Sequence, residues 1–288
     1  MDKNKIKLAL MSPISLFFSI IKRKPTVCSK LETVKAIQNK SIARYGDGEL
    51  YLMLGMGIKF QEKNKELKKR LIEVARSNNE NCIVAIPPIF AMKETGELKP
   101  NSVKWWNKNL LLTRGHWYHF FGNKHFYNSF ISRFYLSAND KSDETMHNYI
   151  EALKSLWNGR DVVMVEGNKT RLGMGNDLFA GAKSIRRILC PSENSFSKYN
   201  EIYDAVLKNT AKTDLIICAL GPTASVLAYD LSNDRQTLDL GHIDIEYEWF
   251  RKKATEKINI EGKYVAESGK DFVENKDFVI SNVICEIK

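Results

Sequence analysis

The chain has 288 residues, 43% of them hydrophobic and 27% charged, and a formal net charge of +10. That composition excludes a disordered or fibrous chain, and the length suits one α/β domain of roughly 200–250 residues with an added head or tail. The positive balance favours acidic partners: nucleic acid, anionic lipid or a phosphorylated small molecule.

The chain opens with an apolar stretch, residues 8–21, set between Lys3, Lys5 and Lys7 on one side and Lys22, Arg23 and Lys24 on the other. It is too short to span a bilayer, Pro13 interrupts it, and no clean small-residue cleavage site follows. Residues 1–29 are therefore expected to form an arm or helix that either packs on the protein or touches an anionic leaflet as a peripheral contact. Residues 59–76 are basic but diluted by Glu62, Glu66 and Glu73. Leu67, Leu71, Ile72, Val74 and Ala75 give this stretch the apolar face of a solvated helix.

Further along, Met146, Tyr149, Ile150, Leu153, Leu156 and Trp157 follow helical spacing, with Ser142 as cap and Asn158-Gly159 as stop. Tyr199, Ile202, Tyr203, Val206 and Leu207 predict a second helix capped by Ser197, and a third is expected from about Thr223. Between them lie short continuous apolar runs at 82–86, 162–165, 185–189 and 215–220. Such runs suit strands covered on both faces, so the expected fold is α/β: a Rossmann-like, mostly parallel sheet with flanking helices. Cys82 and Cys218 lie in these runs, and Cys190 directly follows one. With Cys28 and Cys285 they form no CxxC pair and read as thiols of a reducing, cytoplasmic compartment.

In such a sheet, ligands bind beyond the carboxyl ends of the strands. Four polar segments fall there. Arg44-Tyr45-Gly46-Asp47-Gly48-Glu49 holds two carboxylates two residues apart, which in extended chain point to one side and suit Mg²⁺ or Mn²⁺. The competing reading is an ordinary acidic turn paired with Arg44. Residues 166–177 contain Glu166, Lys169, Arg171, Asn176 and Asp177, with the two basic groups placed to hold phosphates. The segment is neither a Walker A loop nor a full GxGxxG, and the alternative is a long connection ending in a helix start. Gly221-Pro222-Thr223-Ala224 reads as a strand-to-helix turn with Thr223 as N-cap, with or without an anion. In residues 241–249, His242, Asp244, Glu246 and Glu248 share one face if the chain is extended. The alternative starts a helix with Asp244 as its cap.

The run from Ser41 to Glu49 resembles the opening motif of the GT-D-type glycosyltransferases, in which Asp-x-Glu stands where other families carry Asp-x-Asp. The blocks at 166–177, 219–224 and 241–247 also look like that family, in its order, so the resemblance covers about residues 31–265. It implies a domain at 30–266 with a C-terminal extension at 267–288, a Rossmann-like fold distinct from the GT-A and GT-B types, and a UDP-sugar donor used with Mn²⁺ or Mg²⁺. It also implies a bacterial enzyme that extends surface or glycoprotein glycans. Carried over by position, Asp47 and Glu49 match the motif for the metal and the nucleotide diphosphate. The family's domain also occurs fused to a second transferase domain, which this length does not accommodate.

On that reading the donor side comprises Arg44, Gly46, Asp47, Glu166, Lys169, Arg171, Asn176, Gly221 and Thr223. Asp177, Asp244 and His242 are the candidates for the catalytic base. Trp105, Trp106, Trp117, Tyr118 and Phe120 form a candidate surface for the carbohydrate acceptor, with core packing as the alternative. The rival functions are a metal-dependent phosphohydrolase or nucleotidyltransferase using the same carboxylates, and a basic nucleic-acid-binding module. No nucleic-acid motif supports the last, and nucleic acid is not an expected partner.

Overall fold

The computed structural model describes residues 3–265 and 279–288. The chain begins with helix α1 (Lys3–Ile21), strand β1 (Thr26–Val27), helix α2 (Lys30–Ala36), strand β2 (Ser41–Arg44) and helices α3 (Asp47–Met53) and α4 (Lys65–Arg76). Strand β3 (Cys82–Ile86), the short α5 (Met92–Thr95), the long α6 (Pro100–Phe121) and β4 (His125–Asn128) follow. The second half runs α7 (Asp143–Lys154), β5 (Asp161–Gly167), β6 (Ser184–Cys190), α8 (Tyr199–Asn209), β7 (Leu215–Ala219), α9 (Pro222–Leu231), β8 (Thr237–Asp239), α10 (Ile243–Arg251) and β9 (Val283–Glu286).

The strands form one sheet in the order β1-β4-β3-β2-β8-β7-β5-β6-β9, and every pairing in it is parallel. The continuous apolar runs have this cause. In β5, Val162 and Met164 pack with α2, α7 and α10 on one face, while Val163 and Val165 pack with α8 and α9 on the other. Both faces of the strand are covered, so no polar alternation survives. The last strand, β9, lies in the 267–288 stretch that the sequence suggests is an extension. It adds to the sheet beside β6.

Helix starts follow local chemistry. Ser29 and Glu32 form a capping box on α2, and the Ser142 hydroxyl accepts the Thr145 N–H at the start of α7. The Ser197 cap is not present: residues Ser195–Lys198 form a 3₁₀ turn that runs into α8. Helix α1 is continuous through Pro13. The proline supplies no N–H for the Ala9 carbonyl, and the Ser12 hydroxyl donates to that carbonyl at 2.7 Å instead. Gly115 of α6 lets the two helices cross in backbone contact, and its N–H donates to the Ser15 hydroxyl at 3.1 Å.

Candidate active site

A cleft of about 710 Å³ opens at the carboxyl ends of the strands, and all four polar segments deliver residues to it. β2 brings Arg44 and residues 45–49; the turn after β5 brings Gly167, Thr170 and Leu172; β7 ends there at Ala219, Leu220 and Gly221; β8 brings Asp239, then Gly241, His242 and Asp244. The crossover geometry causes this convergence. β2 continues outward to β3 and β4, while β8 returns from the other half of the sheet to lie beside it, which is where an open α/β sheet leaves a crevice.

Asp47 and Glu49 do not lie on extended chain. They occupy the first turn of α3, with Gly46 as N-cap, where residues two apart diverge by about 200° around the axis. Both still line the cleft, because the whole first turn abuts it. Glu49 folds back so that Oε2 accepts the Gly46 N–H at 2.7 Å. Burial, reinforced by Asp239 and Asp47, pushes its carboxyl up to about 7.

Arg44 is no free phosphate ligand. Its Nη2 meets Asp239 Oδ1 at 2.9 Å and the Gly241 carbonyl at 3.0 Å, its Nη1 meets Ser132 Oγ at 2.6 Å, and its Nε donates to the Asp239 carbonyl. The guanidinium is a clamp across the ends of β2 and β8. Glu166 is likewise committed. It is fully buried, paired with Arg187, and accepts the Leu172 N–H at 2.7 Å. Burial raises its carboxyl pKa against the opposing pull of Arg187.

Arg171 donates to the Gly262 carbonyl at 3.0 Å and, like the exposed Lys169, is absent from the cleft lining. Asn176 and Asp177 also stand outside that lining. Asp177 accepts from the Tyr247 hydroxyl at 2.8 Å and pairs with Lys154 at 3.2 Å. The Tyr247 hydrogen bond, then Lys154, holds its carboxyl below the usual range.

Gly221, not Thr223, is the N-cap of α9. Its φ of +55° is left-handed, and a Cβ there would lie 2.6 Å from Phe60 Cε2, so the turn needs glycine twice over. Thr223 is fully buried, and its hydroxyl has no hydrogen-bond partner among the described residues.

The acidic run after β8 takes the helical alternative, begun two residues earlier than the sequence suggests, with His242 in place of Asp244 as N-cap, at φ +80°. Its carboxylates are satisfied inside the protein. Glu246 accepts the Tyr135 and Leu136 N–H groups at 2.9 and 2.8 Å. Asp244 meets Lys263 Nζ at 2.6 Å and Asn176 Nδ2 at 2.7 Å, and Glu248 meets the same two groups at 3.3 and 2.7 Å. Burial raises the Asp244 carboxyl, with Lys263 opposing. His242 and Asp244 line the cleft; Glu246 and Glu248 do not.

Of the aromatic set, only Trp105 and Trp106 reach the cleft, their rings edge to face at 4.8 Å. Trp117 and Tyr118 are core, and Trp117 stacks on Phe121. Asp239, Tyr264 and Lys263 also belong to the site or its support, and the sequence does not single them out. Asp239 has a weak signal, an acid set between Leu238 and Leu240. Tyr264 and Lys263 sit in irregular chain and carried none. The Tyr264 hydroxyl is buried in the cleft wall with no hydrogen-bond partner among the described residues.

The sequence model of the family described as glycosyltransferase GT-D fold matches residues 42–268. The chain belongs to the GT-D glycosyltransferases. This GT-D chain is 38% identical over 275 residues to a probable glycosyl transferase, Gly, of Streptococcus gordonii, and 36% identical over 239 residues to glycosyltransferase GlyD of Streptococcus pneumoniae. Those matches take in 92% and 81% of this chain but only 38% and 28% of the relatives, so the chain spans well under half of their length. Among solved structures, a domain of unknown function 1792 described as having a distinct glycosyltransferase fold superposes with a TM-score of 0.84 at 36% identity, covering 97% of this chain and 99% of that one. A glycosyltransferase of the same domain type from Streptococcus sanguinis also gives 0.84, at 34% identity, over 92% of this chain and 100% of that one.

Proposed function

We propose that this GT-D glycosyltransferase moves a hexose from a UDP-sugar onto a carbohydrate acceptor, with a divalent cation, in building a bacterial surface glycan or glycoprotein glycan. The observation that carries the proposal is the meeting of Asp47 and Glu49 with the ends of β7 and β8 in one cleft. Its volume of about 710 Å³ suits a ligand of nucleotide-sugar size.

Among the described residues no group of three or more His, Cys, Asp or Glu is arranged to hold a metal ion. Two carboxylates fit a cation of the Mg²⁺ or Mn²⁺ kind when the donor diphosphate and water complete the shell. Asp47 and Glu49 supply such a pair at the cleft wall. A bound cation would offset the charge that develops on the leaving diphosphate.

The protein's own contributions follow from the lining. Arg44, Lys59, Arg133 and Lys257 are the cationic side chains of the cleft lining, and the last three would neutralise the remaining phosphate charge. Trp105 and Trp106 offer aromatic faces to a sugar ring. Asp177 is exposed and outside the lining, and Asp244 is tied to Lys263; we assign the acceptor's proton in an inverting transfer to His242, which lines the cleft as the N-cap of α10. The test is mass spectrometry of a panel of glycan acceptors incubated with the protein and single nucleotide sugars. A hexose mass added only with one UDP-sugar and lost with EDTA supports the proposal; donor hydrolysis independent of every acceptor goes against it.

A further inference from the structure

Seven of the twelve large hydrophobic side chains that stand exposed among the described residues belong to α1, including Leu10 at 76%, Phe17 at 57% and Ile20 at 75%. At 3.6 residues per turn all seven fall within an arc of about 160°. The opposite arc carries Leu8 and Ser15, both buried against the protein. Helix α1 is thus seated on α6 by one face and presents an almost wholly apolar face outward. Leu111 of α6 adds a side chain 77% exposed.

The charge around this face has one sign. Residues 3–31 contain no Asp or Glu, Lys3, Lys5 and Lys7 lie in the helix's first turns, and Lys22, Arg23 and Lys24 follow it in exposed positions. On α6, Lys104, Lys108 and Arg114 are exposed as well. An apolar helical face lying flat within a basic surround is the pattern of an interfacial helix on anionic lipid. Among the described residues no helix is long and apolar enough to cross a membrane. A second copy of the chain is a poor occupant, because it would bring two basic surrounds together on molecules of net charge +10.

We propose that α1 docks the protein on the surface of an anionic lipid bilayer, its outer face set at the boundary between headgroups and acyl chains and its basic flanks on lipid phosphates. The α6 helix holds Gly115 and His116 under α1 and Trp105 and Trp106 at the cleft, so docking would hold the cleft at a fixed disposition to the bilayer. This docking is independent of the transfer chemistry, and its test needs no activity.

The experiment is co-sedimentation of the full chain with vesicles of phosphatidylcholine alone and of equimolar phosphatidylcholine and phosphatidylglycerol, with sedimentation velocity of the protein without lipid. We expect partitioning onto the anionic vesicles at least about tenfold above the neutral ones, weakened by salt. The double substitution Leu10→Glu with Phe17→Glu should lower it at least about tenfold with an unchanged far-UV spectrum, since both side chains are exposed. Lys22→Glu with Arg23→Glu, which leaves the apolar face intact, should remove the anionic preference. No partitioning at either composition would overturn the proposal. So would partitioning unchanged by the Leu10→Glu and Phe17→Glu pair, or a lipid-independent dimer that the same pair abolishes.

Discussion

The guanidinium of Arg44 and the carboxylate of Asp239 meet at 2.9 Å and join the ends of β2 and β8 under the cleft. Both side chains are nearly buried, at 12% and 5% exposure. Breaking such a pair from one side leaves an uncompensated buried charge, at a cost of about 3–5 kcal/mol. Asp239→Ala should therefore lower unfolding free energy in urea by about that much. An Arg44 acting chiefly on donor phosphate would instead make Arg44→Lys weaken nucleotide binding with stability unchanged, and we expect the opposite balance.

Lys263 holds Asp244 and Glu248 at 2.6 and 3.3 Å in a buried cluster. Lys263→Met should cost about 3–5 kcal/mol at pH 7. The folded-state pKa of Asp244 is already raised by burial, and loss of the lysine raises it further. A carboxyl raised in this way destabilises the fold above its unfolded pKa, near 3.9, and the penalty grows as pH rises through the folded value. The difference between wild type and variant in urea melts should therefore shrink as pH falls from 7 towards 4.

His116 is buried at the α1–α6 contact, where desolvation first and then His119 hold its pKa below the usual 6.5. Burial first, then Arg76 and Lys22, act on His119 in the same sense. The unfolded chain then binds the proton more readily. The stability from neutral His116 is fully present above about pH 6.5 and is lost as pH falls through the depressed value. His116→Phe should flatten that dependence, read as melting temperature between pH 7.5 and 5.

Gly221→Ala places a Cβ 2.6 Å from Phe60 Cε2 at a φ of +55°. Strain of this kind costs about 1–3 kcal/mol, a fall of roughly 2–10 °C in melting temperature for a chain of this size. Phe60→Ala should recover only the steric share, because the backbone conformation still disfavours alanine.

Much of the fold was legible because covered parallel strands write themselves as apolar runs: Cys82–Ile86 is a strand over the residues the run predicts. The four segments at the strand ends also meet as the sheet rule requires. Residue roles were harder to read. Arg44, Glu166 and Glu246 look like ligand groups in sequence, yet each is consumed by a partner about 20 or more positions away: Asp239, Arg187 and the Tyr135 N–H. Lys263 has no periodic neighbour to mark it, and only tertiary contact reveals it. Asp47 and Glu49 were expected on extended chain or in an acidic turn paired with Arg44; instead they open a helix behind the Gly46 cap.

That cap separates two roles of Glu49. Glu49→Ala loses the acceptor for the Gly46 N–H and should cost about 1 kcal/mol as well as cation binding. In Glu49→Gln the amide oxygen still accepts, so the melting temperature should hold while the cation response falls. The most direct measurement of the central claim is a thermal-shift titration of UDP in Mn²⁺ and in EDTA, on wild type, Asp47→Asn and Glu49→Gln. Binding at a hundredfold excess over Kd stabilises by about 2.7 kcal/mol, a rise of roughly 5–10 °C. We predict that rise for wild type with Mn²⁺, little in EDTA, and little for either variant under any condition. Equal shifts in Mn²⁺ and EDTA, or unaltered shifts in both variants, would contradict a cation held by Asp47 and Glu49.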